Sequence, residues 1–388
     1  MKHTLKRMAA AALAVILTAG MITGCATSGG KGEKTSDGDK VLFTYADKDV
    51  TLKEAWIYAK MTAANYETSY SSYFGSDFWS MEMGTDEEGN PTTIEDYVKE
   101  QVITQIKRCI VLNSKAEELK CSLDDEDKAD CEKYAKAFAE DEQGKAILKE
   151  CGATEKDMQK IYEENALASK VQEVMVKDTD REVSDDEARK TSISRVVYAT
   201  TTTGDDGQTK EMSEKEKKAV YKKAQAAYKE LQAGTDIADI AEKAEYTNTD
   251  ETFAAGESEE GKDFEKILKG MKDGEIVKGV QECDNGYVIA KLVAYTDKDA
   301  TASNKESIIA QREQETFTKT YDEWTTDLEK DWKYDEAVNQ ELWAQVVLHS
   351  EESTQTAPET TEAGEEATTQ AGAAETTTQA QEATTAAK

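Results

Sequence analysis

The stretch TSISRVVYATTT (Thr191–Thr202) alternates polar with apolar residues and is rich in β-branched side chains, the period-two pattern of a half-buried strand. It stands in a chain that otherwise reads largely as charged helix, so it marks a change of architecture. A strand is predicted over Ser192 to Thr200, followed by the loop TTTGDDGQTK. A second strong strand signal, GYVIAKLVAY, comes at Gly286–Tyr295. The residues between are helical in pattern. A long charged helix is predicted from Ser213 to Ala233, ending at Gly234, then a short one in TDIADIAEKA and a third in DFEKILKGMKDG. Strand, three helices and strand make one α/β module.

Upstream, VLFTYADKDVTLKEAWIYAKMTAANY opens with a short strand signal, a turn at Asp47-Lys48-Asp49, and a helix. Thr51 and Glu54 have the spacing of a capping box, in which each side chain satisfies an orphan backbone N–H. The aromatic SYSSYFGSDFWSMEMGTDEEGNPTT reads as an ordered excursion before the next helix. From Ile94, the apolar positions Ile94, Val98, Val102, Ile106 and Ile110 repeat every four residues with Ile103 beside them, one face of a helix. Further helices are predicted after a Ser122 cap, through Tyr134 and Phe138, and after Thr154, through Met158, Ile161 and Tyr162. The acidic run Asp124–Asp130 lacks the glycine and closing glutamate of an EF-hand loop and suits a helix N-terminus. Downstream, Ser303 to Trp332 is helical, with a stripe of Ile309, Phe317, Tyr321, Trp324, Leu328 and Trp332. The partner expected for that stripe is the first helical region. The fold class is therefore α+β: a mostly helical lobe built from both chain ends, with the α/β module inserted and a disordered tail.

At the N-terminus, basic MKHTLKR precedes the apolar run MAAAALAVILTAGMI, which is shorter than the roughly 18 residues a membrane span needs. This is the form of a secretory signal. The sequence Ile22-Thr23-Gly24-Cys25 resembles the lipobox of bacterial lipoproteins. That resemblance implies cleavage before Cys25, acylation of its thiol and tethering to the outer face of the cytoplasmic membrane; the alternative is an uncleaved anchor. The expected division is a signal peptide at 1–24, a lipidated flexible linker at 25–40, an N-terminal helical domain at 41–185 and the α/β module at 186–300. A C-terminal helix completing the lobe follows at 301–349, then a Thr/Ala/Glu-rich tail at 350–388 with too little apolar surface to offset its ordering entropy.

With 48 basic and 80 acidic residues the chain has a net charge of −32. Such a surface repels nucleic acid and anionic lipid; it either attracts basic unfolded chains or serves only to solvate the fold. Apart from Cys25, the cysteines Cys109, Cys121, Cys131, Cys151 and Cys283 are odd in number and include no CxxC pair. With 2 histidines in the whole chain, no metal site or cofactor is expected. Neither GxSxG nor HExxH occurs, which argues against a hydrolase.

The whole layout before the tail resembles the extracytoplasmic foldases of the PrsA type, which are related to SurA-type chaperones. VLFTYADKDVTLKEA is similar to the entry of their N-terminal chaperone domain, and ETFTKTYDEWTTDLEKDWKYDEAVNQELW to the C-terminal helix that completes it. DFEKILKGMKDGEIVKGVQECDNGYVIAKL resembles their parvulin domain, a peptidyl-prolyl isomerase. The resemblance implies a lipoprotein that binds unfolded secreted proteins. It also implies a histidine in the first strand and another in the last, where this sequence has Arg195 and Val288. His349 lies outside the module. Asn248, Thr249 and Asp250 are alternative counterparts of the family's middle-loop Cys or Asp. Phe264 transfers to the proline pocket, and Tyr287, Tyr321 and Trp324 join it as client-binding residues. Arg195 has two roles open to it, donating to a client carbonyl or pairing with a nearby carboxylate.

Two functions follow. In one, the parvulin-like module is a binding surface without strong isomerase activity, and a cleft between lobe and module cradles clients. Trp56, Tyr58, Tyr66, Tyr70, Trp79, Phe317, Tyr321 and Trp324 then either line that cleft or pack the core. In the other, the module is an active peptidyl-prolyl isomerase. A solute-binding lipoprotein would need more strands than the two seen, and an adhesive surface protein leaves the helical lobe unexplained.

Overall fold

The computed structural model describes residues 37–85, 89, 91–203, 208–247, 249–283 and 286–348, without the side chains of 68–77. Cys25, Tyr70, Asn248 and His349, the signal, most of the linker and the tail lie outside what is described.

Strands β1 (Val41–Tyr45) and β2 (Lys48–Thr51) form a hairpin in which Tyr45 pairs with Lys48. The two-residue turn is Ala46-Asp47, both at positive φ (48° and 60°), the backbone that matches strand twist. The turn thus lies before Lys48 and Asp49, which the ladder claims. Helix α1 (Leu52–Phe74) follows. Glu54 N–H donates to Thr51 Oγ1 at 3.3 Å, but the Glu54 carboxylate accepts from Lys160 Nζ at 3.1 Å and does not return to the cap. The aromatic excursion is a 3₁₀ turn (Gly75–Ser80) and a small hairpin, β3 (Glu82–Thr85) with β4 (Pro91–Thr93).

Helix α2 (Ile94–Ser114) starts from a Thr93–Asp96 capping box and buries Val98, Val102, Ile103, Ile106 and Ile110. Helix α3 (Asp125–Glu140) is capped by Asp124, not Ser122. Asp124 accepts from Asp127 N–H at 2.9 Å and Asp127 returns the bond at 2.8 Å. Short α4 (Glu142–Glu150) leads to α5 (Glu155–Met175), which begins in a Thr154–Asp157 capping box. The segment after α5 reaches the one-turn α6 (Asp185–Ala188) and then β5 (Lys190–Ala199).

The inserted module is richer in strands than its sequence suggests. After β5 come a hairpin of β6 (Thr201–Thr203) and β7 (Thr209–Glu211), then α7 (Glu214–Gln232), α8 (Ile237–Lys243), β8 (Asp250–Ala254), α9 (Lys262–Leu268), β9 (Gln281–Cys283) and β10 (Gly286–Ala294). The main sheet has the order β8-β5-β10-β9 and every neighbouring pair is antiparallel. Gly286 opens β10 at φ 145°, and a Cβ there would lie 2.3 Å from Tyr198 O. No other residue fits that approach.

Helix α10 (Lys298–Glu329) is roughly 48 Å long at 1.5 Å per residue. Its start is fixed to the module, because Asp297 caps it through Ala300 N–H at 3.0 Å and accepts from Ser192 Oγ at 2.7 Å. Its far half packs on α2 and α5 through Phe317, Tyr321 and Trp324. Short turns α11 (Tyr334–Ala337) and α12 (Gln340–Trp343) then bring Val338, Leu342, Trp343, Val346 and Leu348 into the core made by β1, α1 and α2. Asn339 N–H donates to Leu42 O at 2.9 Å. Both chain ends thus share one apolar core, and the fold is α+β.

Candidate functional site

Side chains alternate across a strand, so the two central strands divide their residues between two faces. Ile193 and Val197 of β5 and Val288, Ala290 and Leu292 of β10 face α9, while Val196, Tyr198 and Ile289 face α7 and α8. Arg195 falls on the α9 face. It pairs with Ala290, and Val197 pairs with Val288, so Arg195 and Val288 are diagonal neighbours on that face. Phe264 of α9 covers it, 3% exposed and packed with Phe253 and Val277. Three residues distant in sequence therefore meet.

The guanidinium of Arg195, 1% exposed, is met by carboxylates from two segments. Nη1 pairs with Glu251 Oε2 of β8 at 3.0 Å and with Glu260, while Nη2 donates to Glu259 Oε2 at 2.6 Å. Of the three, Glu260 is buried, Glu251 is partly buried with its Oε2 shielded from solvent, and Glu259 is exposed. Glu251 Oε1 accepts from Glu259 N–H at 2.9 Å, and Ser258 Oγ donates to Glu260 Oε2 at 3.1 Å. Arg195 N–H itself donates to Thr249 O at 2.6 Å. Burial opposes the Arg195 charge, but the hydrogen bond to Glu259 and the charges of Glu260 and Glu251 outweigh it and raise its pKa. Glu251 moves against its own charge: burial first, then its hydrogen bond with Glu260, pushes it up to about 8. Of the two roles open to Arg195, the pairing with carboxylates is the one seen.

The other predicted site residues are not brought to this face. Tyr287 points to the opposite side of the sheet, edge-on to Tyr221 of α7 with centroids 5.0 Å apart. Tyr321 and Trp324 sit on α10, half-buried against the helical lobe. Trp56, Tyr58, Trp79 and Phe317 are buried. Tyr66 lies tilted against Phe78 and Trp79, so these aromatics pack the core. An open groove of about 300 Å³ lies between the segment after α5 and helix α10, lined by Thr179, Asp180, Arg312, Glu315, Thr316 and Lys319. It is charged, not aromatic. Of the loop alternatives, Thr249 gives its carbonyl to Arg195 and Asp250 accepts from Ser194 Oγ at 2.7 Å. The sequence reading missed Glu251, Glu259 and Glu260, because one acidic residue carries little signal in a chain with 80 of them. Among the described residues no cluster of possible metal ligands occurs.

Residues 207–294 match the family model of the Rotamase: PPIC-type PPIASE domain, and the chain carries a domain of that type. The match begins after β5, whose place in the sheet is fixed by its register with β10. Among solved structures, the chain is similar to the peptidylprolyl isomerase PrsA of Bacillus cereus at 17% identity and TM-score 0.27, over 69% of this chain and 99% of that one. It is similar to PrsA of Bacillus subtilis at 19% identity and TM-score 0.22, over 62% and 91%. A third similarity is to SurA-like chaperones of Campylobacter jejuni, at 11% identity and TM-score 0.24, over 61% and 93%. No match was found among curated proteins. With likeness this low across whole chains, the assignment rests on the matched domain.

Proposed function

We propose that this chain is a lipid-anchored extracytoplasmic foldase of the PrsA/SurA type, whose parvulin domain binds unfolded secreted proteins without strong isomerase activity. One observation carries the second half of that reading. Where the resemblance puts two histidines, Arg195 is tied to three carboxylates and Val288 is fully buried. Twisting an X–Pro bond crosses a barrier of about 18–20 kcal/mol. Lowering it requires a proline seated beside polar groups free to meet the twisted amide, and here Phe264 is packed in and the Arg195 guanidinium is engaged by carboxylates. Clients would instead meet the partly exposed aromatics, Tyr287 with Tyr221 on the module and Tyr321 with Trp324 on α10. Phe264 would join them only if α9 lifts. The divisions at 41–185, 186–300 and 301–349 belong to the same proposal, as does tethering through Cys25.

Two assays on the full chain test it. In a protease-coupled prolyl-peptide assay, the rate should equal the uncatalysed one. A proline-dependent acceleration would favour the second reading, an active isomerase, which the family match supports. Aggregation of an unfolded secreted protein should be suppressed at several-fold molar excess, and no suppression would sink the foldase reading. Anchoring has its own test: Cys25→Ala should abolish incorporation of labelled fatty acid and release the chain from membranes.

A further inference from the structure

The Arg195 cluster carries more charge than it can balance. Two carboxylates, buried Glu260 and partly buried Glu251, press on the single nitrogen Nη1, and Glu259 takes the other. Glu251 Oε2 is buried and accepts no hydrogen bond. One guanidinium cannot neutralise two carboxylates away from water, where an uncompensated charge is strongly disfavoured. A proton on Glu251 removes the excess and gives Oε2 a hydrogen to donate.

We propose that Glu251 keeps a proton, donated to Glu260, and that the cluster is a pH-sensitive latch holding β8 and the following segment, 255–261, onto β5. The latch closes in mild acid and slackens as the pH rises toward weakly alkaline values. Among the described residues, the groups facing it are few. Arg195 comes from β5, Glu259 and Glu260 from the segment ahead of α9, and Tyr246 from the turn after α8. From β10 the facing residue is apolar Ala290, and from α9 Glu265 is tied to the N–H groups of Gly256 and Ser258 at 2.8 and 3.0 Å. None of these supplies a second cation.

The direction follows from linkage. Glu251 is raised from an ordinary 4.5 to about 8, so between those values the folded module binds more protons than the unfolded chain. Its contribution is complete below the ordinary value and is lost as the pH rises through the folded one. One linked proton changes the opening equilibrium by at most about tenfold per pH unit. Because α9 and Phe264 follow directly on the latched segment, opening it uncovers the face where the resemblance places the proline pocket. This regulation rests on the foldase reading only for its meaning to clients; the latch itself does not.

The test is amide hydrogen exchange on the full chain, corrected for intrinsic rates, between pH 5 and 8.5. Protection of 190–199 and 250–261 should fall by more than tenfold across that range, while protection of α2 stays level. Glu251→Gln, a neutral isostere, should remove the slope. A slope unchanged in Glu251→Gln, or protection that is flat in the unaltered chain, overturns the proposal. A measurement without any variant stands beside it: in ¹³C-glutamate-labelled protein, one carboxyl carbon should titrate between pH 6 and 9. If every glutamate titrates below pH 6, the latch does not exist. None of these readouts depends on chaperone activity.

Discussion

Lys107 in the helical lobe and Arg195 in the sheet module are both buried cations, 7% and 1% exposed, held in different ways. Lys107 Nζ lies 3.5 Å from the ring centroid of Trp332 and 4.6 Å from that of Tyr45, and it pairs with Glu329 at 2.8 Å. Tyr45 donates its hydroxyl to the same glutamate. That carboxylate is 43% exposed, so one cation meets one hydrated anion and two aromatic faces. Arg195 meets three carboxylates, one buried, one partly buried and one exposed. The first arrangement is balanced and joins the two ends of the chain, β1 and α2 to the end of α10. The second is overcharged and sits where the family resemblance puts catalytic chemistry. A balanced clasp joins the two segments, whereas an overcharged cluster responds to protons.

The contrast is breakable, starting with its largest expected effect. Arg195→Ala leaves Glu251 and Glu260 buried without a cation and should lower the local opening free energy of β5 and β8 by about 3–5 kcal/mol. The loss should be larger at pH 8 than at pH 5, as read by amide exchange. Lys107→Ala should cost about 2 kcal/mol at β1 and α2, because Glu329 turns to water and only the ring contacts and one hydrogen bond are lost. If that cost equals the one for Arg195→Ala, the distinction between the two sites fails. Tyr45→Phe removes one hydroxyl donor to Glu329 and should cost about 1 kcal/mol by the same measurement. Smallest is Arg312→Ala on α10, which loses partly exposed pairs to Glu187 at 2.5 Å and Asp180 at 3.7 Å. There a change below about 1 kcal/mol, fading in high salt, is expected.

Much of the fold is legible in the sequence because its signals are local. The Thr154 start, the four-residue repeat of α2 and the end of α7 at Gly234 rest on spacings of a few residues. The failures are local in the same sense. Ser122 and Asp124 both suit a cap, and only the reciprocal bonds with Asp127 choose between them. β8 and β9 are short edge strands, and pairing with β5 and β10 creates them, not propensity. The candidate site was half legible: family resemblance pointed to Arg195, Val288 and Phe264, and the register sets them on one face. Tyr287, one residue from Val288, goes to the other face because strand side chains alternate.

The sequence by itself determined the α+β class, the long helices, the two central strands, and an arginine and a valine where the resemblance puts histidines. These follow from periodicity, caps and residue identity, which act over a few positions along the chain. The tertiary structure alone decided what Arg195 does. Its carboxylate partners lie 56, 64 and 65 residues away, at Glu251, Glu259 and Glu260. No local rule selects those three among so many acids. Folding brings them to one guanidinium away from water, and there electrostatics is strong enough to fix the side chain and move a proton.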